Sequence, residues 1–160
     1  MKADILDLHE LPKRLKPRQR VLGLDLGEKT IGLAISDSGL SLASPLETIR
    51  RSKFTKDAAA LGALIQERNV GALVIGLPVN MDGSEGPRCQ SVRTFAENLA
   101  SIANVLLPAA FWDERLSTSA VQRFLIDEAD MTRQRRGEVV DKMAAAYILQ
   151  GALDRLSNPV

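Results

Sequence analysis

Asp25 sits in the middle of the apolar run VLGLDLG, residues 21–27, where a carboxylate without a partner carries a desolvation penalty of several kcal/mol. A cation must answer it, either an arginine or lysine in a buried ion pair or a metal ion. Gly23 and Gly27 beside it suit a place where backbone or a ligand comes close. A second pair of acids, Asp113 and Glu114, follows the apolar segment PAAFW, at the edge where a chain leaves its sheet and sites are commonly built. Side chains alternate along a strand, so only one of these two can share a pocket with Asp25, and spacing alone leaves the choice open. For Glu114 the simpler role is a surface ion pair with Arg115. The third position, Asp141, follows Val140 and precedes Ala144 by three residues, on the flank of a helix's buried face. Solvation, or pairing with Lys142, would satisfy it in isolation.

The chemistry lies in the set. Three carboxylates brought together from separate elements offer the oxygen donors that hard cations such as Mg²⁺ or Mn²⁺ prefer. Two such ions, about 4 Å apart, activate a water and stabilise the departing oxygen in phosphodiester cleavage. The single histidine, His9, lies near the amino terminus, which argues against histidine-based catalysis or a histidine metal site. Trp112 and the few other aromatics offer no stacking platform for single-stranded bases, so core packing is the role expected of Trp112.

The elements that must position these acids are legible from periodicity. VLGLDLG and TIGLAIS read as a β-hairpin, and a third strand is expected over Ser41 to Thr48, after a turn at Asp37 to Gly39. Ala58, Leu61, Leu64 and Ile65 recur at helical spacing, with Asn69 closing that helix before the strand ALVIGLP. Gly86 and Pro87 open a helix whose buried stripe is Val92, Phe95, Ala96, Leu99 and Ile102. A fifth strand, PAAFWDE, precedes a helix capped by Ser117 or Ser119 that carries Val121, Phe124 and Leu125. The last helix is expected to bury Val140, Met143, Ala144, Tyr147 and Ile148. A meander followed by alternating helices and strands implies an α/β domain with a mixed sheet covered on both faces.

Composition sets the outer bounds. The 160 residues fit one domain, and Lys and Arg (21) nearly balance Asp and Glu (20), so local clusters rather than net charge must attract any polyanion. Residues 1–18 read as a polar arm, with Lys13, Arg14, Lys16, Arg18 and Arg20 crowded before the first strand as a solvated tail or, alternatively, as an aid to nucleic-acid binding, and the domain proper spans residues 19–157. The lone Cys89 has no disulfide partner and reads as an apolar filler, and no export signal or apolar stretch of spanning length is present; a soluble cytoplasmic protein is expected.

Four blocks, LDLGEKTIGLAISD, VIGLPVNMDGSEGPR, WDERLST and VVDKMAAAYILQ, closely resemble the YqgF/RuvX family of bacterial pre-16S ribosomal RNA nucleases, relatives of Holliday-junction resolvases. They occur in family order, and the resemblance covers roughly Arg20 to Arg155. It implies a ribonuclease H-like fold with a five-stranded mixed sheet whose first three strands are antiparallel. It also implies that Asp25, Glu114 and Asp141 are the catalytic, metal-binding acids, which settles the choice between Asp113 and Glu114. Its implied cofactor is Mg²⁺ or Mn²⁺, used as a pair, and its implied substrate is structured precursor ribosomal RNA, with ribosomal particles as partners.

Weaker matches carry substrate roles by the same resemblance. Asn80 and Asp82 form a wall of the groove, Arg88 and Arg93 stand on the following helix for phosphates, and Arg115, Ser117 and Thr118 contact substrate. Arg133, Arg135 and Arg136, expected just before the last helix, extend a cationic rim. Branched DNA is the alternative substrate, and a non-catalytic RNA- or ribosome-associated factor the alternative role. The DLGEKT segment also resembles the phosphate-binding hairpin of actin-like ATPases, whose two-domain clamp a single domain of this size lacks.

Overall fold

The computed structural model describes residues 2–116 and 133–158, with side chains from residue 139 onward in the second stretch. Three antiparallel strands come first: β1 (Arg20–Leu26), β2 (Thr30–Ser36) and β3 (Ala43–Arg50). Then follow helix α2 (Phe54–Glu67), strand β4 (Val70–Leu77), helix α3 (Pro87–Ser101), strand β5 (Ala109–Asp113) and, after the undescribed stretch, a long helix (Arg133–Ser157). A 3-10 turn at Leu8–Glu10 leads into a one-turn helix, α1 (Leu11–Arg14), so the long helix is α4. The sheet order is β3-β2-β1-β4-β5, with β4 parallel to both β1 and β5. The expected helix bearing Val121, Phe124 and Leu125 lies outside the described residues.

The third strand starts two residues later than expected because of the preceding turn. The Asp37 carboxylate accepts hydrogen bonds from the Ser41 and Leu42 amides (2.7 and 3.1 Å) and from Ser41 Oγ (2.6 Å). Those residues are held in the turn and cannot join the ladder. α2 ends as expected, with Asn69 at a positive φ of 54° reversing the chain into β4.

Alternation sorts every strand between two cores. Leu22, Leu24, Ile31, Leu33, Leu73 and Ile75 face α2 and α3, packing on Leu61, Val92, Phe95 and Leu99. Val21, Ala34, Ala72, Val74 and Ala110 face α4, packing on Ala145, Ile148, Leu149, Ala152 and Leu153. Helices therefore cover both faces of a mixed five-stranded sheet.

Two expected core positions are corrected. Ile102 is 58% exposed, because α3 ends at Ser101 and the next residue is turned out as its cap. Tyr147 is 41% exposed: the buried stripe of α4 runs Ala145, Ile148, Leu149, Ala152, Leu153, rotated from the expected stripe. Alanines carry that stripe, and hydropathy marks a small residue against a sheet only faintly.

The amino-terminal segment, expected to be a solvated arm, packs on the α4 face. Leu11 is fully buried with Leu6, Leu8 and Leu15 against the same core, and residues 4–6 bridge the start of β5 through Leu6 N to Ala109 O (2.8 Å) and Ala109 N to Asp4 O (2.9 Å). Leucines spaced along the segment bury apolar surface on that core, which favours the docked state against the cost of ordering it. Arg14 is turned back onto Asp4 at 2.7 Å.

Candidate active site

β1, β4 and β5 run parallel, so their carboxyl ends share one edge of the sheet, and a cleft of about 550 Å³ opens there between the 78–87 loop, the end of β5 and the first half of α4. Asp25, Glu114 and Asp141 all line it. Parity explains the first two. Asp25 falls on the α4 face with Val21 and Gly23, and Glu114 continues the side of β5 set by Ala110 and Trp112. Asp113 points the other way, where its carboxylate takes the Arg115 guanidinium (2.9 and 3.0 Å to Nε) and is held below the usual carboxylate range by that bond. The ion pair weighed for Glu114 thus belongs to Asp113.

β1 and β5 are not neighbours; β4 separates them, so Asp25 and Glu114 meet only by reaching across that strand. Strand spacing puts the gap near 10 Å. Gly76 leaves the path open: a Cβ there would stand 3.0 Å from Glu114 Cγ and 2.7 Å from Ile148 Cδ1. The two carboxyls are hydrogen-bonded to one another across it.

A second close approach places Asp141. Gly32 is the ladder partner of Asp25, and a Cβ on it would collide with the backbone carbonyl oxygen of Asp141. α4 therefore lies directly on β2 at this point. Thr30, two residues earlier on the same face, donates its hydroxyl to Asp141 Oδ2 at 2.6 Å and fixes that carboxylate's direction.

The electrostatics are those of crowded acids. Burial pushes the Glu114 carboxyl up to about 8, helped by the hydrogen bond and charge of Asp25 and opposed by Arg88. Burial also raises Asp25, as does the charge of Asp141, while the bond to Glu114 and the charge of Arg88 work against that rise. One proton shared across the pair relieves their repulsion. Among the described residues, no three acidic, histidine or cysteine groups converge tightly enough to hold one ion between them. Two acids in contact with a third beside them nevertheless fit a divalent cation, because the donors are all oxygens and the pair's repulsion is the kind such a charge cancels.

With the Glu114 pKa raised from 4.5 to about 8, the folded chain binds a proton that the unfolded chain releases. That contribution is fully present below pH 4.5 and is lost as the pH rises through about 8. Thermal melts in EDTA should show falling stability across this window, and Glu114→Gln should flatten the fall.

The weaker sequence candidates separate into groups. Asn80 and Arg88 line the cleft, Arg88 from the first turn of α3. Arg115 lines it too, and its Nη1 approaches the Asn80 and Met81 carbonyls at 3.4 Å, tying the loop to the end of β5. Asp82 does not line it; its carboxylate accepts from Ser84 N and Oγ (2.9 and 2.6 Å) and shapes the turn, with Gly83 at a φ of 89°. Arg93 is clamped by Glu85 (2.8 and 2.9 Å) over the Phe111 ring, away from the acids. Ser117 and Thr118 lie outside the described residues. Arg133, Arg135 and Arg136 belong to the start of α4 rather than preceding it, and their side chains lie outside the description. Thr30, Gly32 and Gly76 were not singled out from sequence; the parity that puts Thr30 and Gly32 on the face of Asp25 was the one available signal.

Known proteins share the sequence and the fold of this chain. The family model described as "RuvX: Holliday junction resolvase" matches residues 19–155. A protein of Phenylobacterium zucineum (strain HLK1) named "Putative pre-16S rRNA nuclease" is 61% identical over 154 residues, covering 96% of this chain and 98% of that one. A protein of the same name from Rhodospirillum centenum (strain ATCC 51521 / SW) is 64% identical over 155 residues, covering 95% and 82%. Among solved structures, T. thermophilus RuvC in complex with a Holliday junction substrate aligns over 88% of this chain and 96% of its own with a TM-score of 0.50 at 14% identity, a likeness of fold. With a ribonuclease H-like sheet, acids gathered at its carboxyl edge and a family model spanning nearly the whole domain, the chain belongs to the RuvX nuclease family.

Proposed function

We propose that this chain is a divalent-metal-dependent endonuclease that hydrolyses phosphodiester bonds of structured RNA, acting in the 5′ maturation of pre-16S ribosomal RNA, in the cytoplasm and in contact with ribosomal particles. The observation that carries the reading is the contact between Asp25 and Glu114 across Gly76, beside Asp141, in an open cleft. The names of the relatives support the choice of RNA.

Asp25, Glu114 and Asp141 would hold Mg²⁺ or Mn²⁺, two ions by the expectation from sequence. Such ions, when bound, supply an activated water and charge stabilisation for the departing oxygen. The chain's own residues do the rest. Glu114 must give up the proton it keeps below about pH 8 before both carboxylates of the pair can ligate, so ion binding is pH-dependent. Thr30 holds Asp141 in place, and Gly32 lets α4 carry it to β1. Arg88, facing the acids, offers a guanidinium to a phosphate oxygen. Arg115 braces the loop that carries Asn80 and Met81 along the cleft.

Branched DNA is the second reading, favoured by the description of the matching family model. Purified protein in Mn²⁺, offered a precursor-like RNA stem and a four-way DNA junction side by side, is expected to cut the RNA at a rate at least about tenfold higher, a difference of ~1.4 kcal/mol in barrier. Selective cutting of the junction would transfer the assignment to DNA, and an absence of metal-dependent product from either would leave a binding factor.

A further inference from the structure

The acidic cleft has a neighbour. Pro87 and Arg88 form a shared wall, and beyond them a second cleft of about 590 Å³ opens between the β1–β2 turn, the start of the β3–α2 connection and the outer face of α3. Arg51, Ser52, Ser91 and Glu28 line it along with Arg88, over a floor that includes Phe95. Of these side chains, Arg88 alone also lines the acidic cleft.

Arg51 is held in place by its side chain and its backbone alike. Its Nη1 donates to the Gly27 carbonyl at 2.6 Å, and its guanidinium carbon lies 5.6 Å from the centroid of the Phe95 ring. Its backbone amide is tied to Lys29 O at 2.8 Å. The next residue is anchored from below: Asp57, only 3% exposed, accepts from Ser52 N at 3.1 and 3.2 Å and from Ser52 Oγ at 3.3 Å. A buried carboxylate is thus used to fix the segment that carries Arg51. Among the described residues no acid forms an ion pair with Arg51 or Arg88, whereas Arg93, Arg14 and Arg115 are each paired. A guanidinium has five N–H donors, and among the described residues one of those on Arg51 is committed, to the Gly27 carbonyl.

Two guanidiniums outside any ion pair, with the Ser91 hydroxyl beside them, suit a phosphate oxyanion, and a side chain ordered in advance reduces the cost of binding it. Arg51 covers the Phe95 face, so among the described residues the cleft offers no open ring on which a base could stack. Recognition there would concern the backbone and not the sequence. Glu28, exposed at the rim, is the opposing charge.

We propose that this second cleft binds a backbone phosphate of the strand being cut, adjacent along the chain to the phosphate over Asp25 and Glu114, with Arg51 as its principal cation and Arg88 shared between the two. The proposal rests on the nuclease reading above. It routes the strand over the first turn of α3 and makes Arg51 a positioning residue that acts on substrate grip rather than on the bond broken.

The test compares wild type, Arg51→Gln, Arg51→Lys and Ser91→Asp, the last placing an anion on the exposed side of α3 without touching the Gly27 contact. Anisotropy of a fluorescent RNA stem in EDTA across a KCl series should show Arg51→Gln binding about tenfold more weakly near 0.1 M salt, with a log–log salt slope smaller by about 0.9. Ser91→Asp should weaken binding similarly, and Arg51→Lys should recover most of the loss. In Mn²⁺, Arg51→Gln should raise KM by a comparable factor and move kcat much less. Affinity, slope and KM equal to wild type in both Arg51→Gln and Ser91→Asp would overturn the subsite while leaving the nuclease reading intact. Wild-type protein that neither binds nor cuts the stem or a four-way DNA junction would overturn both.

Discussion

Asp25→Asn is expected to lower metal-dependent cleavage by at least about a thousandfold, equivalent to ~4 kcal/mol of transition-state stabilisation, while making the metal-free protein more stable. Both effects come from one arrangement. Asp25 is the acid that touches Glu114 and feels the charge of Asp141, so its removal takes away the group through which the three communicate. Without a cation the same group is a liability, since burial and the charge of Asp141 disfavour its ionised form by more than the bond to Glu114 and the charge of Arg88 favour it. An amide keeps a hydrogen bond to Glu114 and drops the repulsion. A melt in EDTA near pH 8 should therefore rise, by about 3 °C for each kcal/mol relieved. Single-turnover cleavage in Mn²⁺ beside that melt decides the matter: a variant that still cuts, or one that loses activity by unfolding, contradicts the assignment.

Gly32→Ala should damage stability and activity together. The added methyl group meets the Asp141 carbonyl, backbone against backbone, and neither β2 in mid-sheet nor α4 with its buried alanine stripe can yield without unpacking. Overpacking of this kind costs about 1–3 kcal/mol, or ~3–10 °C in Tm. Asp141 moves with the helix, and misplacing a reacting constellation by ~1 Å costs about a hundredfold in rate. Gly62→Ala is the matched control. It lies inside α2 with nothing within 4 Å of the new Cβ, so it should stabilise by up to ~1 kcal/mol and leave cleavage untouched. Equal behaviour of the two variants would show that α4 does not depend on the Gly32 contact.

Much of this architecture was legible beforehand because its signals are local. The hairpin of β1 and β2, the helix opened by Gly86 and Pro87, and the buried Cys89 all follow from period, turn chemistry and polarity within a few residues. The amino-terminal segment misled because its charges are contiguous, whereas the leucines that dock it on the α4 face are dispersed. Arg93 and Arg88 look alike in sequence, five residues apart on one helix, yet one is clamped by Glu85 and the other faces the acids. Spacing carries no information about that difference.

What the sequence by itself determined is the set of elements that carry Asp25, Glu114 and Asp141, while the resemblance of four ordered blocks supplied the expectation that these three acids act together. A carboxylate in an apolar strand announces its need for a cation whatever surrounds it. Tertiary structure alone decided how they meet: that Asp25 and Glu114 join across an intervening strand because Gly76 has no side chain, that Gly32 seats Asp141 beside them, and that Arg51 is pinned over Phe95 in an adjoining cleft. Those are relations between atoms distant along the chain, set by which strands become neighbours and how closely a helix lies on them, and no local pattern encodes them.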